Sequence, residues 1–193
     1  MNTAKKYFTK TDEKLLGSLL GRILIAVENK GRAWYVDPVT RSKYYLGSYI
    51  NAYSVMRLMG VGMATSDLKK IHIAFLDEVV KDIPVKGDTL ATRLDRALGV
   101  GWQANLNNTK EDLALQRRFT GRMLIQVQTN GEAWYVDPVS KKRYYLGRPA
   151  EAYAIMRAFG LGITNKDLNK IPVGSFTPSQ IKKIEDIISG KIK

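Results

Sequence analysis

The chain has 193 residues, and 31 Lys and Arg against 18 Asp and Glu give it a formal charge of +13 at pH 7; such a balance implies attraction to polyanions, whether nucleic acid, acidic wall polymers or anionic membrane surfaces. It has no cysteine, which excludes disulfides, thiolate nucleophiles and Cys-ligated zinc. No apolar run approaches the ~18 residues of a membrane span, and the opening MNTAKKYFTK lacks the apolar stretch of a signal peptide.

In chain order, TKTDEKLLGSLLG reads as a flanking helix. In GRILIAVENKG, Ile23, Ile25 and Val27 alternate with Leu24, Ala26 and Glu28, the period of two of a strand. Asn29-Lys30-Gly31 is a short turn in which glycine supplies a positive φ. AWYVD is the next strand, and Asp37-Pro38 stops it, because proline cannot donate to a ladder. After a polar turn comes KYYL, a third strand completing an antiparallel meander. A helix then opens near Ser48 with Ala52, Val55 and Met56 on its apolar stripe, and Gly60 stops it. A second short helix begins near Thr65 and carries Leu68 and Ile71.

The same words then return. Residues 33 to 47 read AWYVDPVTRSKYYLG, residues 133 to 147 read AWYVDPVSKKRYYLG, and the register from Trp34 to Trp134 is maintained without a gap from Gly21–Ile73 to Gly121–Val173. Self-similarity at a fixed period marks a tandem duplication. TKEDLALQRRFTG repeats the flanking helix; Gln126 and Gln128 fall on the alternate face of the first strand, which marks that face as partly wet. Pro149 fits a first helical turn, Asn165 opens the second short helix, and Thr177-Pro178 opens SQIKKIEDII, whose Ile181, Ile184 and Ile188 form an apolar edge that packs on its own domain. Between the copies, Asp88 caps TLATRLDRAL, and the Asn-rich VGWQANLNN is a connector.

The predicted class is α+β: two tandem copies of a small unit, each a three-stranded antiparallel meander followed by two short helices, with additional flanking helices. The corresponding division is a first repeat module over 1–87, a helical linker over 88–108, and a second module with a C-terminal helix over 109–193.

Catalytic readings find little support. Asp37 and Asp137 are lone carboxylates before proline, the ordinary setting of a turn cap. His72 is the single histidine, and Pro172 takes its place in the second copy, so neither a metal site nor a duplicated base can rest on it. No paired acids, Ser-His-Asp set or phosphate-cradling glycine loop is present; the expectation is a non-enzyme with no cofactor and no metal.

Binding is better supported. Trp34, Val36, Tyr44 and Leu46 are expected on one sheet face, with Tyr35 and Tyr45 on the other. The tryptophans read as core anchors, while the tyrosines are open to core or surface. An exposed tyrosine stacks on sugar rings or on bases. The candidate ligand residues are Tyr35, Tyr45, Tyr135 and Tyr145, with Arg41, Lys43, Lys141, Lys142 and Arg143 as a cationic rim in and beside the turn.

GEAWYVDPVSKKRYYLGRPAEAYAIMRAFGLGITNKDLNKI resembles a repeat of secreted and cell-surface proteins from candidate-phylum bacteria, in which GEAWYV-N/D-P, RYYLGRPADA and GLGI-x-N-x-DL recur, often next to wall-directed modules. The first copy departs from that pattern at Arg32, Ser48-Tyr49 and Ala64. The resemblance implies an extracellular or cell-surface, non-enzymatic repeat module. The leading expected partner is cell-wall glycan or another acidic polymer. The alternatives are nucleic acid, read from charge and aromatics, and a structural role in which the repeats self-associate or pack against other surface proteins.

Overall fold

The computed structural model describes residues 11–47, 49–74, 110–129, 131–147, 149–189 and 191. The expected linker 88–108, with its helix TLATRLDRAL, and the expected cap Ser48 lie outside the described residues. Residues 11–74 are called the first half below, and residues 110–189 the second.

Each half starts with a capped helix. The Asp12 carboxylate accepts from the Leu15 amide at 3.0 Å at the head of α1 (Glu13–Leu19). Asp112 does the same for Ala114 and Leu115 at the head of α4 (Leu113–Phe119); such a cap satisfies amides that the first turn leaves unpaired. The meanders follow: β1 (Ile23–Ala26), β2 (Arg32–Asp37) and β3 (Ser42–Tyr45), then β5 (Met123–Gln126), β6 (Ala133–Val136) and β7 (Arg143–Tyr145). All four pairings within the meanders are antiparallel. Helices α2 (Tyr49–Met59) and α5 (Pro149–Ala158) come next, with short helices α3 (Thr65–Leu68) and α6 (Asn165–Leu168) further on and α7 (Pro178–Ile188) at the end. The protein is α+β.

Between α2 and α3, and again between α5 and α6, lies a strand not expected from the sequence: β4 (Val61–Met63) in the first half and β8 (Leu161–Ile163) in the second. Neither joins the meander of its own half. β8 runs parallel to β1, with Leu24 opposite Leu161, and β4 runs parallel to β5, with Val61 opposite Leu124. Among the described residues the sheets are therefore β3-β2-β1-β8 and β4-β5-β6-β7. The expected units exchange their fourth strands, so each sheet is completed across the boundary that separates the repeats in sequence.

The exchange continues past the strand. After β8 the chain passes through α6 to the opposite edge of the first sheet, where Val173 bridges Lys43. There the Lys43 amide donates to the Pro172 carbonyl at 2.7 Å, and the Gly174 amide donates to the Lys43 carbonyl at 2.9 Å. Residues 61–73 repeat this on the second sheet, where Ile73 bridges Arg143. Each half thus lays a strap across the sheet of the other. Leu168 and Ile171 of one strap pack with Leu24, Ala26 and Val36; Leu68, Ile71 and Ile73 of the other pack with Leu124, Trp134 and Val136. A fully buried aliphatic side chain is worth roughly 1.5–3 kcal/mol, so each strap is a substantial part of the core it covers.

Register decides which side chains face inward. Trp34 is opposite Tyr45, and Tyr35 is opposite Tyr44. Opposed residues share a face, so Trp34 lies with Tyr45 and Val36 on the outer, strap-covered face, while Tyr35 and Tyr44 lie with Leu46 on the inner face. This corrects the expected grouping of Trp34 with Tyr44 and of Tyr35 with Tyr45. Gln126 departs too: it is fully buried, and that face is dry at this position. The inner faces of both sheets meet α2 and α5 in one shared core containing Ile23, Tyr35, Met56, Met123, Tyr135 and Met156. Helix α7 packs on α2, a helix of the first half rather than of its own repeat, and Ile184 touches the shared core.

Candidate functional site

Four of the nine candidate ligand residues are interior. Tyr35 and Tyr135 are each about 1% exposed. The Tyr35 hydroxyl donates to the Gly121 carbonyl at 2.7 Å, and the Tyr135 hydroxyl donates to the Gly21 carbonyl at 2.8 Å. Burial, with Asp37 nearby, pushes the Tyr35 phenol well above its ordinary range, and burial with Asp137 does the same to Tyr135. Both hydroxyls therefore stay protonated and remain donors.

Lys43 and Arg143 are also buried. Each lies opposite a β2 or β6 valine, Val36 or Val136, on the outer face beneath a strap. The Lys43 ammonium donates to the Leu168 carbonyl, at the end of α6, and sits 5.4 Å from the centre of the Trp34 ring. The Arg143 guanidinium donates from Nη1 to the carbonyls of Leu68 and, at 2.7 Å, of Ile71, and lies 4.9 Å from the Trp134 ring centre. Carbonyls at a helix end and the face of an indole are both attractive to a cation. Burial lowers the Lys43 pKa to about 8 and that of Arg143 to about 9. These two cations pin the straps and present no charge to a ligand, which corrects their place in the cationic rim.

The other five candidates reach the surface. Tyr45 is 46% exposed, with its ring centre 5.1 Å from that of Trp34. Tyr145 is half-buried at the same separation from Trp134. Arg41, Lys141 and Lys142 are exposed on turns that the neighbouring aspartates hold: Asp37 accepts from the Thr40 amide at 2.8 Å, and Asp137 from the Ser140 amide at 2.6 Å. Because the inner faces share one core, Tyr45 and Tyr145 lie on opposite outer faces of the molecule.

The two turns differ in charge. Arg41 forms a 2.7 Å ion pair with Glu13 of α1. In the second half the place of Glu13 is taken by the exposed Leu113, and α4 carries exposed Arg117 and Arg118 where α1 has Gly17 and Ser18. Among the described residues no carboxylate pairs with Lys141 or Lys142. The second half therefore offers the less neutralised cationic turn.

Three further polar residues bridge the two halves. Gln126 accepts from the Trp134 indole at 3.3 Å and donates to Thr65 of the opposite strap at 2.9 Å. Arg57 donates to the Gly131 carbonyl at 2.8 Å, and Arg157 to the Gly31 carbonyl at 3.3 Å. The partners of both arginines lie in the opposite half. A cavity of about 160 Å³ lies between the first turn and α7, lined by Asp37, Thr40, Tyr44, Arg122, Phe176 and Gln180 among others. The Asp37 carboxylate there serves the turn, and among the described residues no second carboxylate lines the cavity.

Among the described residues no group of three or more potential metal ligands forms, and no described helix is long and apolar enough to cross a membrane. No protein-family model, no curated protein and no solved structure gives a significant match to the chain.

Proposed function

We propose that the protein is a non-enzymatic binding module that holds an acidic polymer at a cell surface, through the cationic turn and helix of its second half. The observation that carries this reading is the contrast between the turns: Arg41 is neutralised by Glu13, whereas Lys141 and Lys142 stand exposed on the half that also carries Arg117 and Arg118. The net charge of +13 supplies long-range attraction to such a polymer. Burial of Tyr35 and Tyr135 leaves less of the aromatic repeat for sugar stacking, so charge is the principal attraction and Tyr45 and Tyr145 are accessory contacts. The cell-surface setting rests on the resemblance of the repeat words to surface proteins.

The test is co-sedimentation with isolated bacterial walls, an acidic wall polymer, an uncharged glycan and single-stranded DNA, measured across salt. Binding to the acidic polymer should weaken steeply as salt rises, and Lys141→Ala/Lys142→Ala should reduce the slope of log affinity against log salt by about 1–2, as expected for two lost ionic contacts. Salt-insensitive binding, or binding unaltered by that double substitution, would sink the proposal. Tighter binding to DNA than to any wall polymer at equal salt would move the assignment to nucleic acid.

A further inference from the structure

We propose that a second copy of this chain can supply the complementary half, so that the protein assembles into dimers in which the first half of one copy is strapped to the second half of the other. The interface between the halves is reciprocal. β8 completes the first sheet as β4 completes the second, Tyr35 binds Gly121 as Tyr135 binds Gly21, and Arg57 binds Gly131 as Arg157 binds Gly31. Lys43 holds the end of α6 as Arg143 holds the end of α3. An interface in which each surface contacts its own counterpart has the self-complementarity of a two-fold dimer.

Each of these contacts joins residues 11–74 to residues 110–189, and residues 75–109 are the segment that joins the halves in sequence. Exchange through that segment re-forms every one of them between two chains, which is the condition under which swapping costs little. What favours the single-chain form is proximity: joining two binding surfaces in one chain gives them an effective concentration on the order of millimolar. Exchange therefore becomes competitive as the protein concentration approaches that range.

The absence of cysteine from the natural chain permits a direct test. A Cβ placed on Gly162 of β8 would lie 3.1 Å from Cγ1 of Val27, next to β1. This is close to the ~3 Å between Sγ of one cysteine and Cβ of the other in an unstrained disulfide. Both positions are exposed. Full-length Val27→Cys and full-length Gly162→Cys are mixed, unfolded, refolded together and oxidised; each chain has a single thiol, so a cross-link between unlike chains reports exchange. A mixture of Val27→Cys with Val139→Cys, an exposed position outside the shared sheet, measures random collision.

At a total concentration of about 1 mM the first mixture should give at least tenfold more cross-link between unlike chains than the second, and the excess should fade at about 10 µM, far below the effective concentration of the joined halves. Light scattering on the unsubstituted chain, refolded at the same two concentrations, should show a two-chain mass only at the higher. A single-chain mass at both concentrations overturns the proposal. So does a two-chain mass without the excess cross-link, which would place the dimer contact on another surface.

Discussion

The Tyr35 hydroxyl and the Gly121 carbonyl form a 2.7 Å hydrogen bond between two residues that sequence places in different repeats, and Tyr135 returns the bond to Gly21 at 2.8 Å. Tyr35→Phe deletes the donor and leaves the Gly121 carbonyl short of a buried partner, which costs about 1–3 kcal/mol. Denaturant unfolding of Tyr35→Phe and of Tyr135→Phe should show a loss of that size for each. Wild-type stability in both would mean that the bonds contribute nothing net.

Backbone contact at the same place gives a second prediction. Gly21 has a φ of +77°, and a Cβ there would sit 2.5 Å from the Gly121 Cα. Both the left-handed backbone and the collision oppose a side chain, so Gly21→Ala should cost upwards of 2 kcal/mol or prevent folding. Gly17, inside α1, has nothing within 4 Å of the corresponding point, and Gly17→Ala should stabilise the protein by about 0.5–1 kcal/mol through helix propensity. Thermal unfolding of the two variants should move in opposite directions.

Lys43 makes stability depend on pH. Its pKa in the folded protein is about 8 because of burial, against about 10.4 for an unfolded lysine. Between those values the unfolded chain binds more protons than the folded one, so stability contributed through this residue rises with pH across that window and is level below it. The full change is on the order of 3 kcal/mol. Lys43→Met should flatten the rise in denaturation midpoint between pH 8 and 9, below the range in which the buried Arg143 contributes a rise of its own. An unchanged slope would place the Lys43 ammonium in contact with water.

The halves also differ at one buried amide. Trp134 donates its indole N–H to Gln126, but Ala26 stands at the matching position of the first half, and the buried Trp34 indole nitrogen has no partner among the described residues. Gln126→Ala should cost about 1–3 kcal/mol by orphaning a second indole. Ala26→Gln should give the Trp34 indole an acceptor and add roughly 1 kcal/mol. Equilibrium unfolding of the pair checks both signs, and a destabilised Ala26→Gln would show that the first half lacks room for the amide.

What could be read from the sequence was local. Alternation in ILIAVE, the Asp37-Pro38 stop, the stripe of Ala52, Val55 and Met56, and the Thr177-Pro178 start all depend on neighbours a few residues away, and those elements form. The face assignment failed because it needed the register, which sets Trp34 opposite Tyr45. Lys43 and Arg143 looked like turn cations because their partners, the carbonyls of Leu168 and Leu68, belong to the opposite half. Given the register, both could have been placed on the strap-covered face, since each shares that face with its neighbouring tryptophan. The strands β4 and β8 had no local signal: each is three residues with a central glycine, and only pairing with a distant strand holds them extended.

The strap across the first sheet also ties the folding of that sheet to the progress of synthesis. β1 ends at Ala26, but the strand that pairs with its free side ends at Ile163, and the bridge at the far edge waits for Val173. A ribosome adding ~5–20 residues per second spends on the order of ten seconds between the first event and the last. Throughout that interval the nascent first meander carries an unpaired edge and an uncovered apolar face, the features that invite pairing with other chains. Folding of the first meander is therefore completed only once residues 161–173 have been made. A chaperone that engages this protein should hold it longest while residues 27 to 160 are being translated.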